Sequence, residues 1–288
     1  MDRALAFEEH RPRLFGIAYR MLGSRADAED ALQEAYLRWH RASVEEIRSP
    51  EAWLVTATTR LCIDRLRITR EAREIYVGPW LPEPLIGEVS PPADAPLDVA
   101  SSLSIAFLVV LERLAPEERA AFLLHEVFDS DYAEIAQVLG KSEAACRQIV
   151  SRARKRVRDN RPRLAVSDTA RRALLDRFVA AVQTQDKEAL LALFAEGATW
   201  TSDGGGKARA ARKVIRGRER VVRFVLGVLG RHTDVFSFKP VTVNNEAGLA
   251  VQAANGLFSV IAVRADGTRI LDVFTVINPD KLRQENSP

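Results

Sequence analysis

The sequence predicts a multidomain protein, with two all-α domains joined by a Pro-rich linker and followed by a C-terminal α+β domain. Its 288 residues exceed the roughly 100–200 residues of a typical domain. Six of its 13 prolines lie within residues 79–96, and they favour an extended linker because proline lacks the backbone N–H that a helix needs. After residue 235 helical periodicity gives way to β-branched and aromatic runs of the kind that form strands.

The composition is that of a folded protein without a membrane span. Hydrophobic residues make up 47% of the chain, too large a share for a disordered chain, and no run of about 18 uncharged apolar residues occurs. The N-terminus is acidic and has no apolar signal-peptide core. The two cysteines, Cys62 and Cys146, are too few and too far apart for a disulfide framework or a zinc site. We therefore expect a cytoplasmic protein with no metal, no cofactor and no membrane partner.

The net charge of +3 averages over an uneven distribution. Residues 141–165 hold nine basic and two acidic residues, a local net charge of +7. A basic stripe on a helix can be the electrostatic footprint of a nucleic-acid-binding surface. The alternative is an ordinary solvated helix face. The sequence motif that surrounds the basic residues distinguishes between these two interpretations.

Two amphipathic helices precede the linker. The first covers residues 27–39, and its acidic residues lie near the helix N-terminus, where they favour the helix dipole and can meet a basic partner: Asp27, Glu29, Asp30 and Glu34. The second begins at Pro50 and packs its apolar residues inward: Trp53, Leu54, Leu61 and Leu66. It presents three cations suited to phosphate contact: Arg60, Arg65 and Arg67.

Residues 116–158 have the pattern of a helix-turn-helix. Pro116 suits the first turn of a helix, and Asp131, followed three residues later by a glutamate, resembles a capping box. Gly140 suits a left-handed helix end, and Ser142 can cap the next helix. The sequence thus predicts two short helices joined by a tight turn.

The second helix of this motif divides into two faces. Its apolar residues share one stripe at helical spacing: Cys146, Ile149, Val150, Ala153 and Val157. Its solvent side would enter a DNA major groove, and we expect DNA contacts from Arg147, Gln148, Ser151, Arg152, Arg154 and Lys155. The first two can pair with guanine and adenine edges, and the last three cations suit phosphates. An ordinary helical hairpin is the alternative, but caps, turn and basic face together favour DNA binding.

These motifs resemble the bacterial extracytoplasmic-function (ECF) RNA polymerase sigma factors of the sigma-70 family. Residues 27–39 look like the core-polymerase-binding helix of region two, and residues 50–67 look like the neighbouring helix that faces the downstream promoter element. The helix-turn-helix matches region four, which reads the upstream element. Residues 41–49 correspond to the loop that captures a flipped base, whose unstacking costs roughly a few kcal/mol.

The resemblance implies a transcription initiation factor, not an enzyme, whose partners are core RNA polymerase and promoter DNA. On this basis we expect region two at residues 1–74, the linker at 75–101, region four at 102–163 and a further domain at 168–288.

Three more motifs resemble a subgroup of these sigma factors with a fused C-terminal SnoaL-like domain: Trp80-Leu81-Pro82-Glu83-Pro84, Asp203-Gly204-Gly205-Gly206-Lys207 and Asn278-Pro279-Asp280-Lys281-Leu282. In that subgroup the extension is taken to regulate the sigma factor. We therefore expect an intramolecular contact of the C-terminal domain with region two or the linker through these motifs.

The C-terminal domain has helices first and strands last, an order that resembles the cone-shaped SnoaL-like fold, whose apolar pocket suits a small ligand. Its glycine run is not a phosphate-binding loop, because Thr201 stands where that motif needs a glycine and Ala208 follows the lysine. Possible acids and bases are Asp203, His232, Asp234 and Asp272. Regulation is favoured over catalysis, and a SnoaL-like isomerase or hydrolase fused to a DNA-binding module is the alternative.

Overall fold

The computed structural model describes residues 2–43, 47, 49–87, 102–159, 166–230, 236–254 and 256–282. The chain divides into two compact units, one made of residues 1–75 and 108–161 and the other of residues 76–107 and 162–288. Residues 76–87 of the predicted linker therefore belong to the same unit as the C-terminal domain. The expected boundary at Arg161-Pro162-Arg163 lies outside the described residues, as do three of the six linker prolines, Pro91, Pro92 and Pro96.

The described part of the first unit is helical. Its helices are α1 (Arg3–Leu22), α2 (Arg25–Arg41), α3 (Pro50–Glu74), α4 (Ile105–Leu111), which begins in the second unit, α5 (Pro116–Glu126), α6 (Tyr132–Leu139) and α7 (Glu143–Arg158). The first three pack on one another around fully buried side chains such as Leu14, Trp39 and Leu54. No helix within the described ranges is both long and apolar enough to cross a membrane.

Local capping explains where the helices of the helix-turn-helix begin and end. The Asp131 carboxylate accepts the backbone N–H of Glu134 at 2.8 Å, and the Ser142 hydroxyl accepts that of Ala145 at 3.3 Å. Gly140 ends α6 in the left-handed conformation, with φ of 64°. The predicted caps and turn are confirmed.

The apolar stripe predicted for α7 is also confirmed, because its buried residues are Cys146, Ile149, Val150, Ala153 and Val157. This stripe and the neighbouring helix α5 pack together. The opposite side of α7 is left to solvent.

The second unit contains a six-stranded sheet with helices packed on it. Its elements are α8 (Asp168–Gln183), α9 (Lys187–Leu193), β1 (Phe194–Asp203), β2 (Ile215–Arg216), α10 (Arg218–Leu229), β3 (Ser237–Val243), β4 (Glu246–Ala253), β5 (Gly256–Ala265), β6 (Ile270–Val276) and α11 (Pro279–Leu282). The strand order is β2-β1-β6-β5-β4-β3. Only the β1–β6 pair among these strands is parallel.

The β-branched and aromatic runs after residue 235, at residues 241–243, 249–251, 257–263 and 270–277, lie in strands β3 to β6 as predicted, with β6 ending at Val276. Strand β1 is not among the predictions. Its first half, Ala195-Glu196-Gly197-Ala198, consists of residues that are depleted in strands, and only Thr199-Trp200-Thr201 has strand character. It forms through parallel pairing with β6, about 70 residues further along the chain, which local pattern cannot reveal. This strand places Ser202 and Asp203 on opposite faces of the sheet, since successive side chains alternate.

The two cysteine thiols are free and fully buried. Burial raises the pKa of Cys62 to about 12 and raises the pKa of Cys146 above its ordinary value. We expect neither thiol to react with a disulfide reagent in the native protein at mildly alkaline pH, and both to react in denaturant. If either thiol of the native protein reacted with the reagent as fast as free cysteine does, a purely structural role for it would be contradicted.

Candidate functional site

The acidic side of α2 is the first candidate surface. Asp27 and Asp30 are exposed, and Glu29 and Glu34 are half-buried, while Ala28, Ala31, Leu32 and Ala35 face the core. The glutamates form exposed ion pairs within the first unit, Glu29 with Arg11 at 2.5 Å and Glu34 with Arg38 at 2.6 Å. Exposed pairs of this kind contribute little free energy, so a basic partner can displace them.

Arg65, which we expect to contact DNA, lies beside this acidic surface in the structure. Its guanidinium donates to the backbone carbonyl of Asp27 at 2.7 Å and lies within 3.9 Å of Asp30 and 3.8 Å of Glu34. The structure therefore brings a predicted DNA-contacting cation together with the predicted polymerase-binding carboxylates.

The two other arginines of α3 also have partners in the first unit. Arg60 donates to the backbone carbonyls of Gln137 at 2.7 Å and Val138 at 2.9 Å, at the end of α6. Arg67 pairs with Glu117 at 2.8 Å. Contact of either side chain with DNA requires these bonds to be exchanged for phosphate contacts.

The basic side of α7 is the second candidate surface, and all its predicted DNA-contacting residues are exposed: Arg147, Gln148, Ser151, Arg152, Arg154 and Lys155. Arg147 pairs with Glu143 at 2.8 Å and lies over the Tyr132 ring, 5.1 Å from its centroid. Arg154 pairs with Glu126 at 2.5 Å, and the hydrogen bond to that carboxylate raises its pKa. Two of the cations thus have partners on the helix surface, but the pairs are exposed and can be exchanged for contacts with DNA.

A groove joins the second surface to α3. Its volume is about 470 Å³, and its lining includes Arg67 from α3, Lys141 from the turn, and Gln148 and Arg152 from α7. The lining also contains Glu117 and Glu118, so three basic and two acidic residues share the groove. Predicted DNA-contacting residues from two separate sequence motifs thus lie on one concave surface.

The third candidate site lies in the second unit and is centred on Asp203, which is fully buried at the end of β1. Its carboxylate accepts four hydrogen bonds: from the Tyr76 hydroxyl at 2.6 Å, the Leu81 backbone N–H at 2.8 Å, the Gly205 backbone N–H at 3.1 Å and Lys281 Nζ at 2.8 Å. We call Asp203, Lys281, Asn278 and the linker residues Tyr76, Trp80 and Leu81 the docking cluster. It joins all three motifs that the sequence analysis singled out.

Lys281 neutralises the buried carboxylate. Its ammonium group also donates to the Leu81 carbonyl at 2.5 Å. It lies 4.2 Å from the centroid of the Trp80 ring and 5.3 Å from that of Tyr76, close enough for cation–π attraction. Burial, followed by the hydrogen bond to Asp203, raises the pKa of Tyr76 well above its ordinary value, so the phenol remains a donor.

The glycines after Asp203 allow this close approach. Gly205 has φ of 59°, and a Cβ there would lie 2.3 Å from Asn278 Nδ2. Asn278 in turn donates to the Tyr76 hydroxyl at 3.0 Å. Lys207 and Asp280 form an exposed pair at 2.5 Å, so they contribute little to stability. The glycine run is thus a steric requirement of the docking cluster.

A second attachment of the linker involves Asn244, a fully buried residue in the β3–β4 turn. Its side chain accepts the Leu85 N–H and donates to the Leu103 carbonyl, both at 2.9 Å. Leu81, Pro82, Pro84 and Leu85 are buried. The sequence motifs include neither Tyr76 nor Asn244. From the sequence, Asn244 is predicted only as a turn residue, but in the structure it is buried, has a left-handed backbone conformation and binds the linker.

The possible acids and bases of the C-terminal domain lie in different places. Asp203 belongs to the docking cluster, and Asp272 accepts a hydrogen bond from Thr199 at 2.5 Å and pairs with Arg264. Asp272 is therefore buried in an ion pair and does not face solvent. His232 and Asp234 lie outside the described residues. Within the ranges that are described, no cluster of three His, Cys, Asp or Glu residues could hold a metal ion.

Comparison with known protein families agrees with this architecture. Residues 6–71 match the sigma-70 region 2 family, residues 104–157 match sigma-70 region 4, and residues 175–282 match the SnoaL-like domain. The fold and these matches define a sigma factor of the sigma-70 type with a SnoaL-like C-terminal domain.

Two relatives match nearly the whole length of this chain and indicate which group of sigma factors it resembles. The ECF RNA polymerase sigma factor SigJ of Mycobacterium tuberculosis is 39% identical over 96% of this chain and 91% of its own, and the probable ECF sigma factor SigI of the same species is 31% identical over 97% and 96%. The crystal structure of SigJ matches with a TM-score of 0.76, 37% identity and 96% coverage of both chains.

The chain belongs to the ECF family of RNA polymerase sigma factors. It is accordingly a transcription initiation factor, and its sigma regions imply binding to core RNA polymerase and promoter DNA. The match of nearly the whole chain to ECF sigma factors favours the sigma-factor function over an isomerase or hydrolase fused to a DNA-binding module.

Proposed function

We propose that this chain binds core RNA polymerase through the acidic side of α2, reads a promoter with α3 and α7, and is regulated by the docking cluster of its own C-terminal domain. It acts in the cytoplasm, where it meets its polymerase. The observation that supports DNA binding most directly is that α7 has a buried apolar stripe on one side and exposed basic residues on the other.

The upstream promoter element is read by the N-terminal half of α7. Arg147 and Gln148 are exposed on the turn that enters a major groove first, and they pair with base edges. Arg152, Arg154 and Lys155 follow one to two turns later and contact phosphates. Ser151 lies between these two groups and can contact either a base or a phosphate.

The downstream element is read by α3 after its arginines exchange partners. The bonds of Arg60 to two backbone carbonyls and of Arg67 to Glu117 are intramolecular and mostly exposed. Phosphate oxygens are stronger acceptors for the Arg60 guanidinium than neutral backbone carbonyls, because the pairing is charge-assisted. The Arg67–Glu117 pair is exposed and therefore weak. Promoter binding therefore competes with the contacts that join α3 to α5 and α6.

The C-terminal domain acts as a regulator and not as a catalyst. Residues 76–87 are packed into the second unit by a neutralised buried carboxylate and by Asn244. The linker length available between the two sigma regions depends on whether this segment is docked, because each residue released adds up to about 3.3–3.6 Å of reach. Docking thereby controls how far the two promoter-reading regions can separate.

A reconstituted transcription assay tests the central function. Purified full-length chain added to core polymerase is expected to give transcripts from a specific subset of genomic promoters. Asp30→Arg places a like charge against the basic partner surface, at a cost of several kcal/mol, so it is expected to weaken co-elution with core polymerase at least about tenfold.

Glu188→Arg reverses an exposed acid of α9 in the C-terminal domain and serves as the matched control. It is expected to leave polymerase binding unchanged. Absence of any promoter-specific transcript, or equal loss of polymerase binding in both variants, would reject the assignment of the acidic side of α2.

A further inference from the structure

The SnoaL-like domain encloses an apolar cavity that the sigma-factor function does not use. Its volume is about 390 Å³, within the range of sites for small molecules. Helices α8 and α10 and the inner face of the sheet form its walls, and six aromatic side chains dominate the lining: Phe178, Trp200, Phe224, Phe236, Phe238 and Phe258. Such a lining favours an apolar aromatic or aliphatic body.

A small set of polar groups interrupts this lining. The hydroxyls of Ser202, Ser259 and Thr275 lie on three strands, and strand register places Ser202 beside Thr275 on the inner face. Thr275 is 4% exposed, and its Oγ1 atom is buried with no hydrogen-bond partner among the described residues. A buried hydroxyl without a partner is unfavourable, so this atom is a ready contact for a ligand oxygen.

The lining has one charged member among the described residues, Arg209, which is exposed and therefore lies where the cavity meets solvent. Arg209 forms no ion pair with another described residue. A guanidinium at the edge of an apolar cavity suits a carboxylate, which it can bind through two parallel hydrogen bonds. The complementary molecule has an apolar body and one anionic group.

One loop connects the cavity to the docking cluster. Within residues 204–214, Arg209, Ala210 and Ala211 line the cavity. The same loop packs on the linker, since a Cβ at Gly206 would lie 3.2 Å from Val77 and a Cβ at Gly78 would lie 3.7 Å from the Arg212 backbone. Strand β1 makes a second connection, because Ser202 faces the cavity and the next residue, Asp203, holds the linker.

We propose that this cavity binds a small apolar carboxylic acid, with Arg209 pairing with the carboxylate, and that binding strengthens docking of residues 76–87 through the shared loop 204–214. The coupling part builds on the proposed regulatory role of the docking cluster. By thermodynamic reciprocity, docking strengthens ligand binding by the same factor by which the bound ligand strengthens docking.

Calorimetric titration of the full-length protein tests the ligand class without polymerase or DNA. The probes are octanoate and cinnamate, each compared with its matched alcohol, octanol and cinnamyl alcohol. We expect at least one acid to bind, its alcohol to bind at least about tenfold more weakly, and Arg209→Gln to remove that difference. Arg216→Gln changes an exposed arginine of β2 that does not line the cavity, and it is expected to keep the wild-type affinity.

Two further variants separate cavity binding from surface binding. Val228→Trp fills the cavity from α10 and is expected to abolish binding of the acid. Thr275→Val removes the unpaired hydroxyl, so it is expected to raise the thermal unfolding midpoint of the ligand-free protein. The same change removes a contact to the ligand, so it is expected to lower the affinity for the acid several-fold. No binding by either acid, equal binding by acid and alcohol, or unchanged binding in Val228→Trp would overturn the ligand assignment.

Hydrogen exchange of residues 76–87 tests the coupling. Saturating acid is expected to slow exchange in this segment in the wild-type protein and to have no effect in Val228→Trp. Unchanged exchange at saturation would reject the coupling. Because neither measurement involves transcription, their failure is distinguishable from failure of the sigma-factor assignment.

Discussion

Replacing Asp203 by alanine is expected to destabilise the second unit by about 3–5 kcal/mol, because removal of one partner leaves the other charge of a buried pair uncompensated. The side chain of Lys281 is 12% exposed and that of Asp203 is fully buried. Loss of the carboxylate also leaves the Tyr76 hydroxyl and the Leu81 N–H without their acceptor. We therefore expect residues 76–87 to become open to proteolysis and to fast hydrogen exchange.

Chemical denaturation and limited proteolysis measure the two effects on the same protein. Asp176→Ala removes an exposed carboxylate of α8 and is the matched control, expected to change stability by less than about 0.5 kcal/mol. An Asp203→Ala protein with wild-type stability and an intact, protease-resistant linker would show that the docking cluster does not hold the linker.

A double variant separates the charge from the shape of the site. Asp203→Asn combined with Lys281→Met removes both charges together, so no ion remains uncompensated. Its destabilisation is expected to be smaller than the sum of the two single changes, and the difference measures the coupling between the two side chains. Strict additivity would mean that the two residues act independently.

The sequence predicts what is local and fails where the structure depends on distant pairing. The caps at Asp131 and Ser142 and the turn at Gly140 are set by neighbours within four residues, so pattern alone locates them. The three motifs around Trp80, Asp203 and Asn278 are visible as sequences, but their mutual contacts join residues 73 to 200 positions apart. Their chemistry, a buried carboxylate with four donors, is therefore not predictable from spacing.

The arginines of α3 illustrate a second limit. Residue type and helix position mark Arg60, Arg65 and Arg67 as candidates for phosphate contact, and that prediction stays untested. Sequence does not reveal that each already has a partner within the first unit. Such partners depend on how α2, α5 and α6 pack around α3, which helical periodicity does not specify.

Replacing Arg147 by alanine is expected to weaken binding to the upstream promoter element by about 1–3 kcal/mol and to relax the sequence preference at one base pair. The guanidinium pairs with Glu143 and lies over the Tyr132 ring. The ion pair is exposed and therefore weak, so pairing with a base can replace it at little cost. Arg147→Lys keeps the charge but cannot form the bidentate pair with guanine, so it is expected to lose specificity nearly as fully as alanine.

Binding of the full-length chain with core polymerase to the wild-type promoter and to single-base variants, at one fixed salt concentration, measures both quantities. Arg152→Ala provides the contrast, because loss of a phosphate contact weakens all sequences equally and reduces the salt dependence by about one charge. Arg158→Ala changes an exposed arginine at the far end of α7 and controls for net charge. If Arg147→Ala weakens every sequence to the same extent as Arg152→Ala, then Arg147 contacts the backbone, and base reading by α7 depends on Gln148 instead.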